Sequence, residues 1–321
     1  MRTVIGTDID HAVELLRGGG LVAIPTETVY GLAAHALDEE AVLRIYAAKE
    51  RPRFNPLILH LPSAAAFERY AVNIPKACLT LAEAFCPGPL TFLLPKRDIV
   101  PDLVTAGSDR VALRIPDHPL TLELLRRLDL PLAAPSANPS GYVSPVTAEH
   151  VAEGLGGRIP YILDGGPCGV GLESTIIGFD GEGVRLYRHG AVTAVQIRDV
   201  AGLPVHLAEG GAVTTPGRLK SHYAPRAPLQ VCDVADGLRR LGGAATAVIS
   251  FQATRFDPPP RWLRTLSPAG DLREAARNLF HALRELDAAG ADIILAERFP
   301  DEGLGKAIND RLDRAQSIHR P

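Results

Sequence analysis

The sequence predicts an α/β protein in two parts, and three observations carry that prediction. Through residues 1–205, short apolar runs of strand length alternate with segments whose apolar positions repeat at helical spacing. Residues 206–226 then lose apolar periodicity altogether and collect Gly210-Gly211, Thr214-Thr215-Pro216-Gly217 and Ser221-His222-Tyr223-Ala224-Pro225. From 227 to 321 the strand–helix rhythm resumes on a smaller scale. The expected organisation is a large domain over 1–205, a connector over 206–226 and a smaller α/β domain over 227–321.

The first helix is expected at 8–17, ended by Gly18-Gly19-Gly20, and Leu21-Val22-Ala23-Ile24 reads as a buried strand. Pro25 stops it. The hydroxyl-rich loop Thr26-Glu27-Thr28-Val29-Tyr30-Gly31 follows, at the end of a strand where open α/β sheets place ligands. Thr26 and Thr28 could equally close a turn. Over 38–49, Val42, Ile45, Tyr46 and Lys49 share helical spacing, which delivers Lys49 at the last turn. Lys49, Arg51 and Arg53 then fall within five residues, stiffened by Pro52 and Pro56. Such a group suits an anion, or a solvated helix end that complements the helix dipole.

The strand 57–61 alternates Leu57, Leu59 and Leu61 against Ile58 and His60. Helices near 63–70 and 75–86 precede a Pro-Gly-Pro turn and a strand at 91–94. In the strand Val111-Ala112-Leu113-Arg114-Ile115, Arg114 lies opposite the face of Val111, Leu113 and Ile115. An unpaired guanidinium in a covered sheet costs several kcal/mol. Arg114 therefore needs an anion, either a protein carboxylate or a bound one, and its fork suits a planar carboxylate. A helix at 118–128 and a strand at 130–134 lead to Pro135-Ser136-Ala137-Asn138-Pro139-Ser140-Gly141, small residues that admit a ligand or simply turn the chain. A helix near 147–154 and a strand at 160–163 follow. The glycine-rich loop 164–175 matches neither the P-loop nor the dinucleotide fingerprint. Strands at 175–179 and 184–188 bring Arg188 to a strand end. In the smaller domain, strands are expected at 229–232, 246–250 and 292–296, and helices at 234–241, 271–289 and 305–316.

Composition narrows the function classes. At 321 residues with 46% hydrophobic and 22% charged side chains, this is ordinary globular composition. A net charge of −3 argues against a broad nucleic-acid-binding face while leaving room for a local basic pocket. Cys78, Cys86, Cys168 and Cys232 form no CxxC pair, so neither a zinc site nor a disulfide framework is suggested. With no signal pattern and no apolar run near the ~20 residues of a membrane span, a cytoplasmic protein without membrane association is expected.

Six fragments, in order, resemble one family. Lys49-Glu50-Arg51 before Asn55-Pro56-Leu57, and Ser136-Ala137-Asn138, resemble the KxR…SxN signature of YrdC-like threonylcarbamoyl-AMP synthases. Pro25-Thr26-Glu27-Thr28-Val29-Tyr30-Gly31-Leu32 resembles that family's first loop, and Asp164-Gly165-Gly166 with Glu173-Ser174-Thr175 its glycine-rich loop. The connector is similar to that of the two-domain form. Glu50 departs from the pattern, where a small residue is common, as does His189, where proline often follows the arginine.

The resemblance implies a YrdC-like open twisted mixed sheet with helices and a Rossmann-like C-terminal domain. It also implies that L-threonine, bicarbonate and ATP are joined into L-threonylcarbamoyladenylate with release of pyrophosphate. No protein nucleophile is assigned. Lys49 and Arg51 would act by electrostatics and positioning. L-Threonine would meet Thr26, His60, Arg114, Ala134 and Ser174. ATP would meet Lys49, Arg51, Asn55, Arg110, Ser136, Asn138, Ser144, Arg188 and, from the connector, Tyr223. Mg2+ would accompany ATP, and downstream tRNA threonylcarbamoyl-transfer proteins would be partners, with weak contact to tRNA. Two alternatives are an RNA-binding translation module without adenylation activity and the carbamoyl-adenylate-forming domain of hydrogenase maturation. The latter is disfavoured because no acylphosphatase-like or zinc-finger segment precedes residue 1.

Overall fold

The computed structural model describes residues 2–208, 223–241 and 245–316. Its chain divides into two compact units. One is drawn from Met1–Ser140, Pro145–Gly169 and Glu173–Arg218, and the other from Gly141–Ser144, Val170–Leu172 and Leu219–Pro321. Most of the expected connector, 209–222, lies outside the described residues.

In the first unit the strands are β1 (Val4–Gly6), β2 (Val22–Ile24), β3 (Gly31–His35), β4 (Ile58–His60), β5 (Leu90–Pro95), β6 (Arg110–Arg114), β7 (Leu132–Ala133), β8 (Tyr161–Leu163), β9 (Thr175–Asp180), β10 (Gly183–Arg188) and β11 (Val205–Leu207). They form one mixed sheet in the order β1-β8-β2-β3-β7-β4-β6-β5-β9-β10-β11. The helices are α1 (Ile9–Arg17), α2 (Glu39–Lys49), α3 (Lys76–Phe85), α4 (Asp102–Thr105), α5 (Pro119–Leu128), α6 (Ala148–Leu155) and α7 (Ala194–Ala201).

Local chemistry sets the helix ends. Asp8 caps α1 by accepting the His11 N–H, and Asp38 caps α2 by accepting from Glu40 and Ala41. The apolar stripe of α1 (Ala12, Val13, Leu16) meets Leu124, Leu125 and Leu128 of α5 over Val22, Ile24, Ala33 and Leu132. Each large aliphatic side chain fully buried there contributes about 1.5–3 kcal/mol. α2 ends at Glu50, whose left-handed φ of 53° is a position glycine usually fills. Its carboxylate pairs with exposed Arg158 at 2.7 Å, so this departure from the family pattern is absorbed at the surface.

The second unit holds β12 (Leu229–Val231), β13 (Thr246–Ser250), β14 (Trp262–Thr265) and β15 (Ile293–Ala296) in a parallel sheet ordered β12-β15-β13-β14. With it are α8 (Val234–Leu241), α9 (Leu272–Ala288) and α10 (Gly303–Gln316). Buried Arg284 of α9 donates to the Val143 carbonyl at 2.6 Å and the Ser144 carbonyl at 3.4 Å, which ties the 141–144 segment into this unit.

Several elements differ from expectation. The helix expected near 63–70 is present as a 3-10 helix over Ala64–Arg69, whereas the strand expected over 130–134 keeps ladder pairing only at Leu132–Ala133. β1, β3, β11, β14, α4 and α7 were not expected at all. No helix among the described residues is long and apolar enough to cross a membrane.

Candidate active site

Strand register builds the central row of polar side chains. In β4 and β6, His60 stands beside Arg114, and in β5 and β6, Thr91 stands on Arg114's other side. Thr91 Oγ1 lies 2.7 Å from Ser174 Oγ just before β9. Arg188, at the end of β10, donates Nε to the Ser174 carbonyl at 2.9 Å and Nη2 to Ser174 Oγ at 3.1 Å. A Cβ on Gly190 would sit 2.4 Å from the Thr175 nitrogen, so the chain after Arg188 passes Ser174 only because that residue is glycine. The resulting line runs Arg188–Ser174–Thr91–Arg114–His60, every member buried.

Arg114 finds the anion that its strand position demanded. Its Nη2 donates to Glu27 Oε1 at 2.7 Å, and the Asp117 N–H donates to Glu27 Oε2 at 3.0 Å. Yet Arg114 Nε is buried and meets no partner among the described residues. Next to it, His60 Nδ1 is 3.3 Å from the Ile58 carbonyl. Burial, then the neighbouring guanidinium of Arg114, push the His60 pKa down to about 3. The ring is therefore neutral near pH 7. With Nδ1–H on the carbonyl, Nε2 is left as an acceptor.

Thr26 serves its own turn. Its hydroxyl donates to the Val29 carbonyl at 2.6 Å, accepts the Thr28 and Val29 N–H groups, and lies 2.8 Å from the Thr28 hydroxyl. Ala134 sits across, its N–H on the Ile58 carbonyl at 3.0 Å.

A second corner gathers at the end of α2. Lys49, 1% exposed, donates Nζ to the carbonyls of Ser136 and Asn138, so the solvated helix end is not what forms. Burial, then Arg51, hold its pKa well below the usual lysine range. Arg51 donates to the Asn55 carbonyl at 3.3 Å and the Pro56 carbonyl at 2.9 Å. The Asn55 side chain is fully buried, and neither end of its amide meets a partner among the described residues. Two orphaned groups of this kind cost about 1–3 kcal/mol each, a cost that a polar ligand would remove. Asn138 turns its amide onto the Pro139 carbonyl at 2.8 Å. Arg110 opens β6, half-buried, its N–H accepted by Ser108 Oγ at 3.2 Å.

The remaining two expected residues belong to the second unit. Ser144 is buried there under Arg284. Tyr223, with φ 68°, stacks on Phe280 at 5.6 Å, and the Arg311 guanidinium lies 5.5 Å from its ring centroid.

The Sua5_yciO_yrdC family model, described as telomere recombination, matches residues 14–190. The chain belongs to this family. A further model, described as threonylcarbamoyl-AMP synthase, C-terminal domain, matches residues 192–317. Among family relatives, the threonylcarbamoyl-AMP synthase of Bacillus subtilis is 42% identical over 96% of this chain and 92% of its own. That of Pyrococcus abyssi is 43% identical over 95% of this chain and 92% of its own. The crystal structure of P. abyssi Sua5 complexed with L-threonine superposes with a TM-score of 0.86 at 39% identity, covering 98% of this chain and 97% of that one. Full-length HypF in a phosphate- and nucleotide-bound form shares the fold alone, at 22% identity and a TM-score of 0.50 over 56% of this chain and 28% of that one.

Thr91 of the row and Glu27 beside it escaped sequence reasoning. Thr91 sits in an apolar strand, and only the β5–β6 register shows that it adjoins Arg114. Glu27 stood inside the first-loop motif, but 87 residues separate it from Arg114 and no periodicity links them.

Proposed function

We propose that this chain is a threonylcarbamoyl-AMP synthase, forming L-threonylcarbamoyladenylate and pyrophosphate from L-threonine, bicarbonate and ATP. Near-full-length similarity to enzymes of that name carries the reading. The row around Arg114 gives it a physical basis. A buried arginine whose Nε–H meets no partner among the described residues, flanked by a neutral histidine and the hydroxyls of Thr91 and Ser174, suits an amino acid that carries a carboxylate and a hydroxyl. The nucleotide would lie toward Lys49, Arg51, Asn55, Arg110, Ser136, Asn138 and Arg188, with Ser144 and Tyr223 assigned to it by resemblance alone. Thr26, its hydroxyl engaged in the turn, would shape the threonine pocket with its methyl group and backbone. Ala134 leaves room beside it.

The chemistry asks for placement more than for a nucleophile. Threonine's amine adds to carbon dioxide from bicarbonate to give a carbamate and a proton. A carbamate oxygen attacks the α-phosphorus of ATP, and pyrophosphate leaves with the electron pair of the broken P–O bond. The residues hold two anions against each other, which costs energy in water and less among fixed cations and donors. Arg114 would anchor the threonine carboxylate, and His60 Nε2 would accept from the substrate hydroxyl or amine. Arg51 would contribute positive potential beside the phosphates, and Lys49 and Arg51 would shape the loops that carry Ser136, Asn138 and Asn55. Among the described residues no group of three or more His, Cys, Asp or Glu side chains could hold a metal ion. Mg2+ would enter as part of the MgATP substrate, with ligands from phosphate and water. The product would pass to tRNA threonylcarbamoyl-transfer proteins, and contact with tRNA itself would be weak.

Pyrophosphate release tests this directly. With ATP and bicarbonate, L-threonine should stimulate release well above serine, glycine or no amino acid. Equal release with all four would remove the assignment.

A further inference from the structure

Arg114 does not meet its ligand as a bare cation. Glu27 sits on its Nη2 at 2.7 Å, both side chains largely buried, 5% and 11% exposed. Glu27 is itself fixed by the Asp117 N–H at 3.0 Å. His60, which adjoins Arg114 in the sheet, is neutral near pH 7, as are Thr91 and Ser174. Arg114 and Glu27 thus supply one positive and one negative charge at this end of the row, while the Arg188 guanidinium stands at its far end on Ser174 Oγ at 3.1 Å. A simple carboxylate entering at the Nε edge meets a cation whose charge Glu27 already balances, and it brings a second anion close to Glu27. In a low-dielectric setting that juxtaposition is costly. An α-amino acid brings its own cation, so carboxylate, guanidinium, Glu27 carboxylate and ammonium alternate in sign.

We infer that Glu27 is a specificity-determining residue that makes the Arg114 pocket select an α-amino acid zwitterion over a carboxylate without an amine. The inference rests on the proposed threonine site and adds to it the reason for a buried carboxylate there. Glu27 holds Arg114 in place and provides the negative partner for the substrate's ammonium before carbamate forms. Once the amine is carbamoylated this attraction is gone, so the contact favours capture of the free amino acid.

The test is equilibrium binding of L-threonine, 3-hydroxybutyrate (carboxylate and hydroxyl, no amine) and L-threonine amide (amine, no carboxylate) to wild-type protein and to Glu27→Gln. Glutamine keeps the shape and an acceptor for the Asp117 N–H while removing the charge. The wild type should bind threonine more tightly than either analogue by about tenfold or more. In Glu27→Gln, threonine should weaken by about tenfold while 3-hydroxybutyrate is unchanged or tighter, so that the preference collapses. A merely structural role would weaken both acids together, and that result overturns the inference, as does an unchanged preference. If the variant does not fold, the wild-type comparison decides, since 3-hydroxybutyrate binding as tightly as threonine is incompatible with zwitterion selection. A wild type that binds no threonine at all overturns the threonine site itself and the inference with it. One that binds threonine with its preference intact in Glu27→Gln overturns the inference alone.

Discussion

Lys49 and Arg114 are both cationic side chain types buried in the first unit, at the end of α2 and the end of β6, and the fold treats them in opposite ways. Lys49 gives its Nζ to two backbone carbonyls, and burial with Arg51 nearby disfavours its charged form. Arg114 gives one Nη2 contact to Glu27 and retains a buried Nε–H without a partner among the described residues. Burial therefore does not by itself mark a binding group. Unspent hydrogen-bonding capacity does, because an orphaned buried donor is a standing cost that a ligand relieves. Lys49 shapes a loop, and Arg114 is set to receive.

The sharpest way to break this contrast is Arg114→Ala. It strands the Glu27 carboxylate, and breaking a buried pair from one side costs about 3–5 kcal/mol of stability. Threonine KM should also rise on the order of 100-fold, close to 2.7 kcal/mol, with ATP KM little changed. Adding Glu27→Ala should return much of the stability, read by denaturant titration, and none of the threonine affinity. Unchanged threonine KM in the single variant would put Arg114 in the same class as Lys49. Lys49→Met should do the reverse. It leaves the Ser136 and Asn138 carbonyls without their partner, at about 1–3 kcal/mol each, and should lower Tm and raise ATP KM together while threonine binding changes less.

His60 gives a smaller, pH-dependent signature. In the unfolded chain it titrates near its ordinary value of 6.5, whereas the folded protein excludes the proton until about pH 3. Between those values the unfolded state binds more protons. Stability should accordingly be full above about pH 6.5 and fall as pH drops toward 3, by up to about 1.4 kcal/mol per unit from this group. Denaturant midpoints across that range should show a shallower slope in His60→Gln, and an unchanged slope would place the proton elsewhere. Smallest of all is Glu50→Gly. Relief of the left-handed backbone outweighs loss of an exposed ion pair, for a net gain of about 0.5–1 kcal/mol in thermal unfolding.

Much of the fold was legible because long, periodic segments dominate it. The helices over 8–17, 38–49, 118–128 and 271–289 each present a stripe of apolar residues, and the structure places them at Ile9–Arg17, Glu39–Lys49, Pro119–Leu128 and Leu272–Ala288. What escaped was short or weakly patterned. β1 is three residues with Val4 and Ile5 exposed, α7 buries only Ile197, and β14 follows a proline-rich run, Pro258–Pro260. β3 carries Gly31, Ala33 and Ala34, small residues with little strand propensity, directly after a polar loop. In the site, the requirement that Arg114 have an anion was readable from its strand, but the identity of that anion was not. Glu27 reaches it through a pairing of distant segments, which no local pattern encodes. The placement of Thr26's hydroxyl within its turn was among the alternatives the sequence left open, and the hydrogen bonds show that it occurs.

The second unit includes Gly141–Ser144 and Val170–Leu172, two short pieces that interrupt the segments of the first unit, far ahead in sequence of the rest of the second. Arg284 grips the first through the carbonyls of residues 143 and 144, Tyr142 hydrogen-bonds Asp287 at 2.6 Å, and a Cβ on Gly171 would lie 2.5 Å from the Cα of Arg277. For heredity and for engineering this means the unit is not a cassette. A gene cut once near the connector would transplant α9 with its guanidinium and aspartate facing an absent strip of backbone. Any recombination event that moves this body intact must carry two short loops along from a different part of the reading frame.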